Sequence, residues 1–239
     1  MKSILTPSLR VLAWLALPVA CPAQTLLGSG HADIGIGYED GAFDLHDHQE
    51  IPEPGAEYEP GEAILQVGPR GFLPGGTPNT PAAVAFFGPP GSLLWVLPKT
   101  EDPELLFLGF GTEELDPSEW TSNIALSLAG VEGPGDVFVW DTGPFGELLP
   151  RMSSRDGIQP GDRLELLPGS HSHFFVGFSA PGDYRVLFNA SGTHATDGAV
   201  TSETAAYQFQ VIPEPSPVAL LGVGALAFAV LRRRQRATS

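Results

Sequence analysis

A two-residue turn signal at Asp40-Gly41 lies between two segments whose side-chain character alternates with period two, and this pattern is the strongest constraint on the fold. An Asp-Gly pair between alternating flanks is typical of a β-hairpin. With the turn placed there, the side chains that lie opposite each other on one face are largely apolar. The predicted pairs on this face are Tyr38 with Phe43, Ile36 with Leu45, and Ile34 with Asp47.

The other face of the predicted hairpin collects side chains that bind metals. Opposed side chains lie roughly 5 Å apart at Cβ, and glycines leave room for an approaching group. The predicted pairs are Gly37 with Asp44, Gly35 with His46, Asp33 with His48, and His31 with Glu50. A shift of one residue would scatter this set over both faces, so the prediction depends on the position of the turn.

A second histidine pair lies on another predicted strand. His171 and His173 are two residues apart and therefore point to the same side of a strand. Phe174, Val176 and Phe178 take the other side. His194 follows the next predicted strand, and no histidine lies between His48 and His171. The alternative is that these histidines are only polar surface residues, as histidines on strands often are. Solvated strand edges rich in acidic residues and histidine discourage aggregation.

Two such pairs together favour a divalent-metal site over a merely polar face. Neutral imidazole and carboxylate oxygen are normal zinc ligands, and the single cysteine, Cys21, lies in the N-terminal leader region, which excludes a cysteine-type zinc site. We therefore predict a Zn²⁺ site. The predicted ligands are His31, Asp33, His46, His48, His171 and His173. The sequence leaves open whether the two clusters form one site.

The abundance of glycine (29) and proline (24) is typical of many short strands joined by tight turns. We expect an all-β fold, an immunoglobulin-like or jelly-roll-type β-sandwich, over residues 24–212. After the hairpin the predicted strands are 62–67, 82–87, 93–97, 105–110, 123–128, 136–140, 147–152, 163–167, 171–179, 184–190 and 205–212. Residues 51–60 read as a loop, and 103–108 or 117–120 could at most be short helices. We expect Trp95, Trp120 and Trp140 in the core rather than on a sugar-stacking surface.

The charge of the chain excludes one class of partner. Its formal net charge is -16. Six of the twelve basic residues lie in the two ends, which leaves the middle strongly acidic; these are Lys2, Arg10, Arg232, Arg233, Arg234 and Arg236. Such a surface repels phosphate backbones, so we expect no nucleic-acid binding, but it attracts divalent cations.

Both ends have the pattern of targeting segments. Lys2 and Arg10 precede an apolar run at 11–20, which predicts a signal peptide over 1–23 with cleavage near Ala23. A lipoprotein with lipidated Cys21 is the alternative. At the other end, the apolar run 218–231 has 14 residues, about 21 Å as a helix, against a hydrocarbon core of about 30 Å. The arginine cluster after it would stay in the cytoplasm, which places the acidic domain outside the inner membrane.

The C-terminal pattern resembles a known sorting signal. Pro213-Glu214-Pro215, the apolar segment and the arginine cluster resemble the PEP-CTERM signal of Gram-negative bacteria, which would cover 213–239. That resemblance implies recognition by an exosortase, a single membrane helix, and delivery to the cell envelope or extracellular matrix.

A second resemblance covers most of 30–212. Residues 31–35 (HADIG), 44–48 (DLHDH) and 171–184 (HSHFFVGFSAPGDY) are similar to the choice-of-anchor M, or surface-anchored, domain. More narrowly, they are similar to the PEP-CTERM family controlled by the zinc-uptake repressor. The resemblance implies a surface-displayed β-sandwich that acts in zinc acquisition, with zinc-uptake components as partners.

Two further functions remain open at this stage. A structural or adhesive protein of the extracellular matrix would bind polysaccharide or another protein without metal. An enzyme is not expected, because the sequence has no Gly-x-Ser-x-Gly elbow, no His-Glu-x-x-His helix and no cysteine nucleophile.

Overall fold

The computed structural model describes residues 23–213, and this part of the chain is almost entirely β-structure. Its strands are β1 (Thr25–Leu27), β2 (Gly30–Glu39), β3 (Ala42–Ile51), β4 (Ala56–Tyr58), β5 (Ala63–Val67), β6 (Trp95–Leu97), β7 (Leu106–Gly111), β8 (Ile124–Glu132), β9 (Val137–Thr142), β10 (Leu148–Ser153), β11 (Arg163–Leu166), β12 (His171–His173), β13 (Phe175–Phe178), β14 (Gly182–His194), β15 (Gly198–Thr201) and β16 (Ala205–Val211). The helix α1 spans Pro81–Phe87, and 3-10 turns span Pro69–Gly71 and Pro117–Glu119.

The strands form three sheets. The largest has the order β1, β5, β16, β14, β8, β11, with β15 paired to β14. A four-stranded sheet has the order β10, β9, β13, β6. The third, which we call the histidine sheet, has the order β12, β7, β2, β3, β4, and within it β2 pairs in parallel with β7. An all-β, sandwich-like architecture is therefore confirmed, whereas the immunoglobulin-like or jelly-roll topology stays a prediction.

One hydrophobic core joins the three sheets. Its cluster of buried side chains includes Ile34 from the histidine sheet, Tyr207 from the largest sheet and Phe178 from the four-stranded sheet. Trp95, Trp120 and Trp140 are all buried, as predicted. Burial of such large aromatic side chains is a main source of folding free energy in a domain without internal disulfides.

The predicted hairpin is present in the predicted register. Asp40 (φ 50°) and Gly41 (φ 84°) form the turn, since a tight hairpin loop of this kind needs positive φ at both positions. Pairing follows the expected order from Tyr38 opposite Phe43 to Asp33 opposite His48. A β-bulge then shifts the register, so that His31 lies opposite Ile51 instead of Glu50.

Three expectations about other segments were wrong. Residues 82–87 belong to α1 and not to a strand, because Pro81 starts the helix and the Thr80 hydroxyl caps it by accepting from Ala83 N at 3.2 Å. The strand expected over 105–110 is present as β7, and no helix forms over 103–108. The loop expected over 51–60 contains β4, and the strand expected over 171–179 is divided at Phe174 into β12 and β13. By contrast, the short helix near 117–120 is confirmed as a 3-10 turn.

Within residues 23–213, no helix is both long and apolar enough to cross a membrane. The apolar runs assigned to the signal peptide and to the C-terminal sorting helix lie outside the described residues.

Candidate metal centre

The histidine sheet brings all six predicted ligands to one face. In one row across the strands, His173 pairs with Gly109, Gly109 with Asp33, and Asp33 with His48. In the next row, two residues away along each strand, the order is His171, Gly111, Gly35 and His46. Residues two apart on a strand point to the same side, so the larger side chains lean together over the glycines.

Four of these residues form a compact group, which we call the four-donor cluster: His31, Asp33, His171 and His173. Asp33 Oδ1 lies 3.4 Å from His31 Nε2 and 3.2 Å from His171 Nε2. The Nε2 atoms of His171 and His173 are 3.0 Å apart. Donor atoms of the three histidines all lie within 4.8 Å of one another. For bonds of 2.0–2.1 Å to zinc, the edge of a tetrahedron is about 3.4 Å, so these three pair separations of 3.0–3.4 Å are compatible with ligands that share one zinc ion.

Each imidazole of the cluster is held by its other nitrogen. His31 Nδ1 lies 2.7 Å from Glu50 Oε2, and His173 Nδ1 lies 2.9 Å from the Leu108 carbonyl. His171 Nδ1 lies 3.1 Å from Glu113 Oε1. A carbonyl or carboxylate oxygen accepts, so each Nδ1 carries a hydrogen, and a ring in its neutral form then presents the lone pair of Nε2 toward the centre. Metal-binding histidines commonly have this arrangement.

The close approach of these lone pairs is favourable only with a cation between them. Two nitrogen lone pairs facing each other at 3.0 Å repel unless a proton or metal ion lies between them. Asp33 is only 1% exposed, and within residues 23–213 neither of its carboxylate oxygens has a hydrogen-bond partner. A buried carboxylate without partners is costly, and a cation at the centre of the cluster would stabilise its charge.

Burial also shifts the pKa of two of the four donors. Burial lowers the pKa of His173 to about 4, with the nearby His171 and His31 adding to the effect and the Leu108 carbonyl opposing it. His173 is therefore neutral at pH 7, as a ligand must be. Burial raises the pKa of Asp33 above its usual range, although His171 and His31 act in the opposite direction.

Gly109 forms the floor of the four-donor cluster. A Cβ at this position would lie 2.6 Å from His171 Nε2 and 3.0 Å from His173 Cε1, and closer still to Asp33 Oδ1. Beside it, the Phe107 ring stacks on His173 with centroids 3.7 Å apart and planes inclined by 8°. The absence of a side chain at Gly109 thus makes the approach of the donors possible.

The buried Thr112 holds the edge strand that carries His171 and His173. Its hydroxyl donates to the Leu167 carbonyl at 2.6 Å and accepts from Ser170 N at 3.1 Å. Its backbone N donates to the Ser170 carbonyl at 2.8 Å, and its carbonyl accepts from Gly169 N at 2.8 Å. These four bonds fix the turn that leads into β12, because they anchor both sides of it to one residue.

The remaining two predicted ligands belong to a separate group, the three-donor cluster, made of His46, His48 and Glu114. His46 Nε2 lies 3.1 Å from Glu114 Oε1, and ligand atoms of all three residues lie within 4.8 Å of one another. The two clusters are neighbours on one face of the sheet but draw on different residues. His194 belongs to neither, since its Nδ1 lies 2.8 Å from Asp197 and its ring packs on Trp120 and Tyr38.

Sequence reasoning missed part of both clusters. Glu113 and Glu114 follow β7 directly, and neither was expected to contribute. The signal was present in residues 109–114, GFGTEE, where two glycines with period two mark a strand face that another group approaches closely. Glu50 was placed opposite His31; the bulge displaces it along the strand, yet its carboxylate still reaches His31 Nδ1.

Comparison with known families identifies the C-terminal segment. A family model described as the PEP-CTERM protein-sorting motif matches residues 211–234. The chain carries a PEP-CTERM sorting signal. The PEP-CTERM motif supports a protein that is exported and sorted by an exosortase to the cell envelope or surface, in agreement with the resemblance of the C-terminal pattern. No curated protein and no solved structure matches the chain significantly.

Proposed function

We propose that this PEP-CTERM protein binds Zn²⁺ at the cell surface through His31, Asp33, His171 and His173, and that it captures or buffers the ion outside the inner membrane. One observation carries the proposal. Ring nitrogens of His31, His171 and His173 lie within 4.8 Å of one another, and the buried Asp33 Oδ1 lies 3.2–3.4 Å from Nε2 of His171 and His31. The Nδ1 of each ring is held by an acceptor.

The donor set favours zinc among the common divalent ions. Calcium and magnesium prefer six or more oxygen ligands, whereas imidazole with one carboxylate suits zinc and its first-row neighbours. Four protein donors also fill the coordination positions of a tetrahedral ion. We therefore propose binding at this cluster and not catalysis, because no position is left for a reacting water.

The surroundings of the cluster support capture from a dilute solution. The net charge of -16 raises the local concentration of cations. On the resemblance to the choice-of-anchor M domain and to the family under the zinc-uptake repressor, we place the protein in zinc acquisition, with components of zinc uptake as the partners that receive the ion. A matrix protein that stacks sugars on its tryptophans is less favoured, since Trp95, Trp120 and Trp140 are buried.

Calorimetric titration with Zn²⁺ tests the proposal. Residues 23–213 contain all three sheets and the shared core, so they can be produced without the two ends. We expect saturable Zn²⁺ binding that is lost from the four-donor cluster in the double variant His171→Ala/His173→Ala. The matched control is His194→Asn, which removes an imidazole outside both clusters and should leave binding unchanged. If the unmutated protein takes up no zinc, the proposal is wrong.

A further inference from the structure

We infer that the three-donor cluster is a second divalent-cation site, weaker than the four-donor cluster and open to exchange. The inference rests on the proposed function for the class of ion, but its ligands are a different set: His46 and His48 from β3, and Glu114 from the segment after β7.

His46 is 5% exposed, and neither of its ring nitrogens has a hydrogen-bond partner. Every imidazole carries at least one N–H donor and, when neutral, one lone pair. Leaving both nitrogens unpaired in a buried position is destabilising, because their lost hydration is not compensated. His46 Nε2 and Glu114 Oε1 are only 3.1 Å apart without the alignment of a hydrogen bond. Two potential ligand atoms that lie close together without forming a hydrogen bond are typical of ligands that share a metal ion.

Close backbone approach fixes both of these donors. The ring of His46 lies directly over Gly35, where any Cβ would overlap Nε2. The carboxylate of Glu114 lies over Gly37, with Oε2 2.8 Å from the position of a Cβ. On the far side of the ring, Asp44 Oδ2 lies 3.8 Å from His46 Nδ1, which is beyond hydrogen-bond distance.

The number of donors sets the character of the site. Two nitrogens and one carboxylate oxygen leave one position of a tetrahedral ion free. The Glu114 side chain is 47% exposed, so this position faces solvent. An ion held there can take water or a donor from another molecule as its fourth ligand. It can therefore be released or passed on more easily than an ion enclosed by four protein donors.

The two clusters are also connected. A cavity of about 50 Å³ lies between them and is lined by residues of both, including Asp33 of the four-donor cluster and His48 and Glu114 of the three-donor cluster. Glu113, which orients His171, lines the same cavity. This volume holds one or two waters. An ion loaded at the open cluster thus has a short hydrated path, lined by carboxylates, to the closed one.

Native mass spectrometry of residues 23–213 with Zn²⁺ tests the inference through stoichiometry. We expect two zinc ions per chain, the second bound at least tenfold more weakly and removed first by a competing chelator. Both His48→Ala and Glu114→Gln should bind one ion with the tighter affinity. In contrast, His171→Ala/His173→Ala should bind one ion with the weaker affinity. These variants spare the buried His46, and Glu39→Gln is the control for loss of an exposed carboxylate at the end of β2.

The outcomes separate the two ideas. If the unmutated protein binds one ion, and this ion is lost in His171→Ala/His173→Ala but retained in Glu114→Gln, the second site is wrong and the proposed function stands. If the unmutated protein binds one ion, and its binding depends only on His48 and Glu114, the second site is supported and the four-donor cluster is contradicted. No bound zinc contradicts both.

Discussion

Replacing Gly109 by alanine should abolish tight zinc binding while leaving the fold intact. The added methyl carbon would lie 2.6 Å from His171 Nε2, and carbon atoms of this kind essentially never approach a neighbour within 3.0 Å. His171 Nε2 must therefore move by at least 0.4 Å, the difference between these two distances, and Asp33 Oδ1 must move farther. Metal–ligand distances tolerate about 0.2 Å, so at least two of the four donors leave their positions.

The expected loss follows from this displacement. Disturbing residues that merely orient metal ligands typically costs 10–100-fold in affinity. Moving two ligands themselves should cost at least about 100-fold, or about 2.7 kcal/mol of binding free energy. The backbone of Gly109 is not in the left-handed region, so alanine is sterically allowed there apart from the contacts with the cluster.

Gly111→Ala is the matched control. Gly111 lies on the same face of β7, two residues away, and a Cβ there meets Glu113 Oε2 at 3.3 Å and Asp33 Cβ at 3.7 Å. The first contact involves the end of a flexible side chain, and the second is an ordinary van der Waals distance. Calorimetric titration with Zn²⁺ should show near-normal affinity for Gly111→Ala, and circular dichroism should show both variants folded. If folded Gly109→Ala binds zinc as tightly as the unmutated protein, the convergence of donors over this residue is not the metal site.

Three other predictions follow from the same structure. Glu50→Gln should weaken zinc binding by about 10–100-fold in a chelator competition assay, because the orienting carboxylate on His31 Nδ1 is lost; unchanged affinity would exclude that role. Thr112→Val should lower the zinc affinity and speed hydrogen exchange of β12 amides, since the hydroxyl bonds to Leu167 and Ser170 disappear; unchanged exchange would contradict the role of Thr112. For Asp47, burial raises the pKa to about 8. Between about pH 4 and about pH 8 Asp47 therefore stays protonated in the folded state but ionises in the unfolded state, so the free energy of unfolding falls as pH rises. Asp47→Asn should gain up to about 4 kcal/mol relative to the unmutated protein between pH 5 and pH 8 in urea unfolding with a chelator present; a constant difference would refute the burial argument.

Local pattern was sufficient to predict the hairpin, because period-two alternation and the Asp40-Gly41 turn specify both pairing and face. The bulge at His31 leaves no comparable pattern, since one extra residue changes neither the turn nor the alternation before it. The helix α1 was missed for a different reason. Its apolar residues read equally well as a short buried strand, and only the Thr80-Pro81 start distinguishes the two.

The meeting of His31 with His171 and His173 was beyond sequence reasoning, although each residue was identified. It depends on β7 inserting between β2 and β12, which pairs residues 60 or more positions apart along the chain. Gly109 and Gly111 leave two positions without side chains on one face of β7, as this insertion requires. Glycines in this chain are too frequent, however, for two of them to identify a partner strand. The six predicted residues thus lie on one face of the sheet, while their division into two clusters and the position of Glu114 beside His46 could not be predicted.

The most direct test of the account is a crystal structure of the zinc-loaded protein with anomalous scattering measured at the zinc edge. The account predicts a strong peak about 2.0–2.1 Å from Nε2 of His31, His171 and His173 and about 2.0–2.2 Å from an Asp33 carboxylate oxygen. A zinc-loaded crystal with no peak at this position, or with the three rings turned away from one another, would contradict it.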